Sequence, residues 1–112
     1  MLCKINRLKK EADFERVFKG GKSFREGFLF LKIKKNNLEN SRFGFVVSKK
    51  NAKKAFLRNK IKRSLREAVR GEIKNIKKGI DGIIMISGYL EEEKPLGTGE
   101  SLKKLFKKAG LL

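Results

Sequence analysis

Residues 48–74 read SKKNAKKAFLRNKIKRSLREAVRGEIK, and eleven of them are Lys or Arg, opposed by Glu67 and Glu72. At about 100° per residue, six apolar residues between positions 57 and 76 share one side of a helix. They are Leu57, Ile61, Leu65, Ala68, Val69 and Ile76. The pattern predicts a long amphipathic helix, ended by Gly79, that packs through one face and exposes a basic one.

The other side of this predicted helix carries Asn59, Lys62, Arg63, Arg66, Arg70 and Lys74. Glu67 is spaced to pair with Arg63 or Arg70, and the remaining positive charge has no acidic neighbour along the helix. Three of the six are Arg, whose planar guanidinium suits phosphate, so the face favours nucleic acid over a merely solvated surface. Arg58 falls outside this arc, and it either reaches out from the flank or belongs to an irregular first turn.

The whole chain has a formal net charge of +18, with 39% hydrophobic residues and nine Phe to fill a core. A single cysteine, Cys3, and the lack of histidine exclude a disulfide framework, a clustered zinc site and Ser-His or Cys-His catalysis. The first residues lack the apolar region of a signal peptide, and the runs FLFL and IIMI are too short to span a bilayer. We therefore expect one small basic domain, residues 1–112, in the cytoplasm.

Residues 8–19 carry apolar side chains three and four positions apart, and Gly20-Gly21 follows as a stop, which predicts a short helix. Phe14 and Phe18 lie one turn apart on the same side of that helix. This spacing alone favours packing in the core. The two rings could instead form the stackable rim of an RNA groove.

Residues 22–35 show the alternation of a single strand, with Leu29, Leu31 and Ile33 on one side. Residues 43–48 form a second β-rich run, and the polar turn between the two runs predicts an antiparallel hairpin.

A buried strand is predicted at residues 80–87, and a loop follows whose acids, residues 91–93, read as a solvated run more readily than as a metal site. The last helix has an apolar stripe of Leu102, Leu105, Phe106 and Ala109, with Lys103, Lys104, Lys107 and Lys108 outside. The order helix, hairpin, long helix, strand and helix predicts a single α+β domain.

Residues 58–67, RNKIKRSLRE, closely resemble the RNR signature of the bacterial ribonuclease P protein subunit, which reads R-N-(R/K)-x-K-R-x-x-R-E. Other blocks resemble the same family in the same order: Asp13-Phe14 with Val17-Phe18, Gly21-Lys22, Val47-Ser48-Lys49-Lys50, and Asp81 with residues 83–86. The resemblance covers nearly all of the chain, which makes it far more specific than a basic helix alone.

The resemblance implies a subunit of an RNA-based ribonuclease, whose large RNA cuts the 5′ leader from precursor tRNA with Mg²⁺. The protein would assist this RNA, and we expect it neither to bind a membrane nor to need a protein partner. The residues implied to bind RNA are Arg58, Asn59, Lys60, Lys62, Arg63, Arg66, Arg70, Lys49 and Lys50. Those implied to line a cleft for the leader are Phe14, Phe18 and Leu31. The implied fold is a four-stranded sheet with three helices and a left-handed βαβ crossover, similar to the second domain of ribosomal protein S5.

The chain departs from the family pattern at three places. Residues 51–55 are one residue longer than the family's Gly-x-Ala segment and lack its Gly, Ser87 replaces a frequent Arg, and Leu31 stands near a frequent Tyr. Two other classes share the charge and size. One is a small ribosomal or other rRNA-binding assembly protein, and the other is a DNA-binding helix-turn-helix protein, which requires a second helix just before the basic one.

Overall fold

Three α-helices, a short 3-10 helix (Lys4–Asn6) and four strands make up the described part of the chain, which is residues 3–86 and 98–112 of a computed structural model. The helices are α1 (Glu11–Gly20), α2 (Ala55–Glu72) and α3 (Thr98–Lys108). The strands are β1 (Lys22–Glu26), β2 (Leu29–Lys35), β3 (Arg42–Val46) and β4 (Ile80–Ile86). They form one mixed sheet in the order β1-β2-β4-β3, which confirms the α+β class and the four-stranded sheet.

Residues 22–35 form two strands, so the prediction of a single strand was wrong. Gly27 has a φ of 59°, which glycine adopts at little cost, and it lets the chain reverse between β1 and β2. The alternation itself is confirmed, because Leu29, Leu31 and Ile33 are all buried on one face of β2.

The predicted hairpin between the second and third runs was also wrong, because β4 lies between β2 and β3. Strand β4 is antiparallel to β2 and parallel to β3. A parallel pair needs a long crossover, which α2 supplies between β3 and β4. The sequence of β4, IDGIIMI, is buried at every position but Met85, as suits a central strand covered on both faces. The left-handedness of this βαβ unit stays a prediction.

Two helix boundaries differ from the predicted ones. Helix α1 begins at Glu11, because Leu8 is extended and its N–H donates to the carbonyl of Phe43 at 2.9 Å. Helix α2 ends at Glu72 instead of Gly79. Ile76 is buried as predicted, but it lies in the turn after the helix.

The helices cover opposite faces of the sheet. Helices α2 and α3 pack on the face of Leu31, Phe43 and Ile84, where the rings of Phe43 and Phe106 lie 5.6 Å apart. The stripe predicted for α3 is confirmed, since Leu102, Leu105 and Phe106 are fully buried. Helix α1 packs on the other face, where Val17 and Ile83 form a smaller core with Leu8. We term this second side the α1 face.

A buried carboxylate fastens α1 to its face of the sheet. Asp81, fully buried at the start of β4, accepts hydrogen bonds from Arg42 Nε at 2.9 Å and Nη2 at 2.7 Å. Arg16 of α1 donates to the same carboxylate, and Asn36 Nδ2 donates to it at 2.8 Å. The hydrogen bonds from Arg42 to Asp81 raise the pKa of Arg42 above its ordinary value. The network joins α1, β3, β4 and the turn after β2 through one group.

Replacing Asp81 by Ala should lower the free energy of unfolding by about 3–5 kcal/mol, because it leaves two guanidinium groups without their buried partner. Urea denaturation of both proteins measures the difference. Glu15→Ala is the matched control, since Glu15 is an exposed carboxylate on the same helix as Arg16. Equal stability of the two variants would contradict this account of how α1 is held.

Candidate nucleic-acid interface

Helix α2 buries its predicted apolar face and presents the basic residues on two separate surfaces. Leu57, Ile61, Leu65 and Val69 are buried, which confirms the predicted packing side. The first surface, which we term the outer face of α2, points away from the core. Its residues Asn59, Lys60, Arg63 and Arg70 are all exposed.

The second surface is a groove of about 190 Å³ between α2 and the edge strand β3, which we term the α2–β3 groove. Lys62 and Arg66 are half-buried and form the α2 side of this groove. Arg7, Lys9 and Phe45 line it from the N-terminal segment and from β3. Four cations thus converge on one concave surface, which suits a phosphate backbone better than a flat charged face does.

Arg58 belongs to the first turn of α2, and its guanidinium folds back onto the preceding loop. Its Nη1 donates to the carbonyl of Ala52 at 2.9 Å and to that of Lys53 at 2.8 Å. These bonds hold the chain where it enters the helix, at a point where no side chain caps the helix N-terminus. One nitrogen of Arg58 therefore has a structural partner, and the half-buried side chain keeps other donors for a ligand.

Lys49 and Lys50 are exposed in the loop between β3 and α2. Asn51 fixes this loop to the end of β4, since its Nδ2 donates to the carbonyl of Ile86 at 2.9 Å. Its Oδ1 accepts from the backbone N–H of Ser48 at 3.0 Å. The segment that departs from the family pattern is thus anchored by Asn51, and it holds the two lysines at the end of the sheet.

The α1 face carries a row of partly exposed side chains beside the helix. The sheet register aligns side chains of this face in rows, and one row consists of Arg25, Phe30, Met85 and Val46. Its three apolar members are half-buried. In the next row, the ammonium of Lys32 lies 5.8 Å from the centroid of the Phe18 ring. We term the surface made by Phe18, Phe30, Lys32, Val46 and Met85 the α1 groove.

Phe14 and Phe18 have different surroundings despite their one-turn spacing. Phe14 is half-buried against Gly44 of β3, where even a Cβ atom would collide with its ring. Phe18 is 39% exposed and borders the α1 groove. Phe14 therefore has the surroundings expected of a ring that packs in the core. Phe18 has those expected of a ring at the rim of a groove.

Leu31 does not line the α1 groove, so its assignment to the cleft was wrong. It is fully buried and packs with α2 and α3 on the opposite face of the sheet. Its neighbours Phe30 and Lys32 point to the α1 face, because successive side chains of a strand alternate. Phe30 and Met85 lie on the α1 face instead, and the pairing of β2 with β4 is what brings them together.

Some predicted features lie outside the described residues, namely Ser87, the loop and the acids of residues 91–93. Within residues 3–86 and 98–112, no group of three or more His, Cys, Asp or Glu side chains is placed to hold a metal ion. None of the helices in the same ranges combines the length and the hydropathy needed to cross a membrane.

A sequence profile of the family described as Ribonuclease P matches residues 2–110. The chain belongs to the ribonuclease P protein family. Among curated relatives, the ribonuclease P protein component of Clostridium acetobutylicum is 38% identical over 111 residues, which cover 97% of this chain and 92% of the relative.

Solved structures of ribonuclease P proteins have the same fold. The protein from Staphylococcus aureus superposes with a TM-score of 0.81 at 32% identity, covering 95% of this chain and 96% of that one. The protein from Thermotoga maritima gives a TM-score of 0.76 at 32% identity, covering 91% of this chain and 96% of that one. Membership of the ribonuclease P protein family disfavours the ribosomal alternative. The helix-turn-helix alternative fails because a strand and a loop, not a helix, precede α2.

Three basic residues outside α2 were not predicted from the sequence, namely Arg7, Lys9 and Arg25. Arg7 and Lys9 join Lys62 and Arg66 because the N-terminal segment bridges to β3 at Phe43. Arg25 joins the α1 face because β1 pairs with β2. Their residue type was visible in the sequence, but only the strand pairing shows on which surface each one lies.

Truncating the two rings of α1 should affect stability differently. Phe14→Ala should lower the free energy of unfolding by about 2–4 kcal/mol, because it leaves a void against Gly44 and the α1-face core. Phe18→Ala should cost less than about 1 kcal/mol, as for other surface changes. Thermal and urea unfolding of the free variants would decide it, and losses of similar size would show that both rings are core.

Proposed function

We propose that the chain binds the catalytic RNA of ribonuclease P through α2 and the 5′ leader of precursor tRNA through the α1 groove, and so assists 5′ maturation of tRNA. The observation that carries this proposal is the position of the family signature. Asn59 and Arg63 of the signature lie on the outer face of α2, and Lys62 and Arg66 line the α2–β3 groove. Asn59, Lys62, Arg63 and Arg66 therefore lie on surfaces that RNA can reach.

Charge supports the RNA contact. Residues 40–66 contain no Asp or Glu, and the acid nearest to the signature arginines on α2, Glu67, pairs with Arg70 at 3.2 Å on the surface. Arginine offers paired donors to phosphate oxygens, and releasing the counterions of the RNA adds to affinity. The catalytic RNA would be bound by many such contacts, with little dependence on base identity.

The α1 groove suits a flexible single strand. It offers the ring of Phe18, the half-buried Phe30 and Met85, and the ammonium of Lys32. Unpaired bases can stack on rings of this kind whatever their identity, while lysines attract the phosphates between them. The leader of a precursor tRNA is such a strand, whereas mature tRNA has none.

The chemistry is proposed to be carried by the RNA and its Mg²⁺, with the chain supplying binding and orientation. The chain has no histidine to serve as a base, and its one cysteine, Cys3, is exposed. Mg²⁺ in this proposal is a cofactor of the RNA, and no step is assigned to a metal on the protein.

Reconstitution tests the proposal directly. Mixing the chain with a bacterial ribonuclease P catalytic RNA and precursor tRNA at low Mg²⁺ should stimulate 5′ cleavage, and the chain without the RNA should cleave nothing. Phe18→Ala should weaken binding of precursor tRNA to the holoenzyme by about 1–3 kcal/mol, the value of one stacked base, and should leave mature tRNA unaffected. Equal weakening of both tRNAs would remove Phe18 from the leader site, and absence of stimulation would refute the function.

Salt dependence tests the α2 contacts. If about five phosphates are neutralised, a log–log plot of the affinity for catalytic RNA against salt should have a slope of about −4 to −5. Arg63→Ala on the outer face and Arg66→Ala in the α2–β3 groove should each make the slope shallower by roughly one unit. Lys107→Ala, an exposed cation on α3, is the matched control. Slopes unchanged by both arginine variants would disprove the assignment of α2 to the catalytic RNA.

A further inference from the structure

Phe56 is held in solvent at the start of α2. It is 66% exposed, more than any other large hydrophobic side chain of residues 3–86 and 98–112, and it belongs to neither hydrophobic cluster. At about 100° per residue, it points about 160° away from the mean direction of the four buried residues of the helix. The ring therefore extends the outer face of α2 toward the helix N-terminus, two residues before Arg58, the first residue of the family signature.

The surroundings of this ring are rich in groups that bind phosphate. The ammonium of Lys54 lies 5.8 Å from the ring centroid. Asn59 and Lys60 follow one turn later on the exposed side of the helix, and Arg63 follows after two turns. No acidic residue occurs in residues 40–66, so no carboxylate from this segment repels an approaching anion.

We propose that Phe56 is a stacking platform for one unpaired base of the RNA, with Lys54 and Lys60 attracting the phosphates that flank this base. The inference rests on the proposed function and deepens it, because it adds a base contact to a helix otherwise assigned to phosphates. An unpaired base in a loop or bulge is required, since the bases of a duplex are already stacked on one another and its deep groove is closed to side chains.

The composition around the ring decides between RNA and a protein occupant. A lone exposed apolar side chain is common on protein surfaces and would carry no inference by itself. Protein interfaces, however, are depleted of lysine at their centres, whereas Phe56 is flanked by Lys53, Lys54 and Lys60. A second copy of the chain is disfavoured as well, because each copy carries a net charge of +18. RNA matches both features of this surface, because its phosphates suit the lysines and its bases can stack on the exposed ring.

The chain contains no tryptophan, so Phe56→Trp creates a single reporter that keeps an aromatic ring at the site. Titration of this variant with a bacterial ribonuclease P catalytic RNA should quench the tryptophan emission as a base stacks on the indole. Leu38→Trp is the matched control. Leu38 is 50% exposed, and its carbonyl lies near Gly79 at the start of β4, whereas α2 follows the opposite end of the sheet. Its emission should change little.

Affinity distinguishes stacking from apolar contact in general. Phe56→Leu keeps an apolar side chain but loses the ring, and it should bind the catalytic RNA roughly 5- to 150-fold more weakly than the wild type. Phe56→Trp should bind as well as the wild type. Because the ring lies outside the core, all three proteins should unfold at the same urea concentration.

Two results would overturn the platform. One is equal RNA affinity of wild type and Phe56→Leu, together with an emission change in Phe56→Trp no larger than in Leu38→Trp. If RNA binding and stimulated cleavage persist in that case, the proposed function survives without the platform, whereas a wild type that neither binds nor stimulates the RNA refutes both. The other is self-association of the wild type that Phe56→Leu abolishes in sedimentation velocity, which would assign the ring to a second copy.

Discussion

The carboxylate of Asp81 determines where α1 lies, and the shape of the α1 face follows from that. A fully buried charge is costly unless its oxygens are paired, and here the donors come from Arg16 of α1, Arg42 of β3 and Asn36 after β2. Helix α1 is thereby held over the end of the sheet where β4 begins. The row of side chains that starts at Arg25 lies beyond the helix, and it forms the floor of the α1 groove with half-buried apolar groups.

A second constraint is charge. The chain has 30 Lys and Arg but 12 Asp and Glu, so its positive side chains repel one another in the folded state. Several acidic side chains in the described part join separate elements. Glu26 of β1 pairs with Lys108 at 2.9 Å, and the hydrogen bond from this lysine holds the pKa of Glu26 below its ordinary value. Glu72 of α2 pairs with Lys103 of α3 at 3.5 Å. Because Glu72 pairs with α3 and residues 40–66 contain no acid, positive charge predominates on the outer face of α2.

Periodicity predicted the α+β class and the packing sides of α2 and α3, because side-chain direction within one element depends on local geometry alone. It could not predict the strand order, which depends on pairings between distant residues. The same limit explains Leu31. Its alternation with Phe30 showed that the two side chains point to opposite faces, but both are apolar, so only the position of β4 and the helices showed which one is core. Phe14 and Phe18 likewise share a helix side, and it is Gly44 on β3 that makes room for Phe14 alone.

Strand β3 brings the two proposed RNA surfaces together. Its adjacent residues Phe45 and Val46 point to opposite faces, the first into the α2–β3 groove and the second into the α1 groove. The two surfaces therefore lie on opposite sides of the same strand. In the function that we propose, a catalytic RNA bound to α2 would fix the α1 groove in place through this stiff strand. A leader held there would be positioned at little further entropic cost, and this advantage requires no recognition of the leader's sequence.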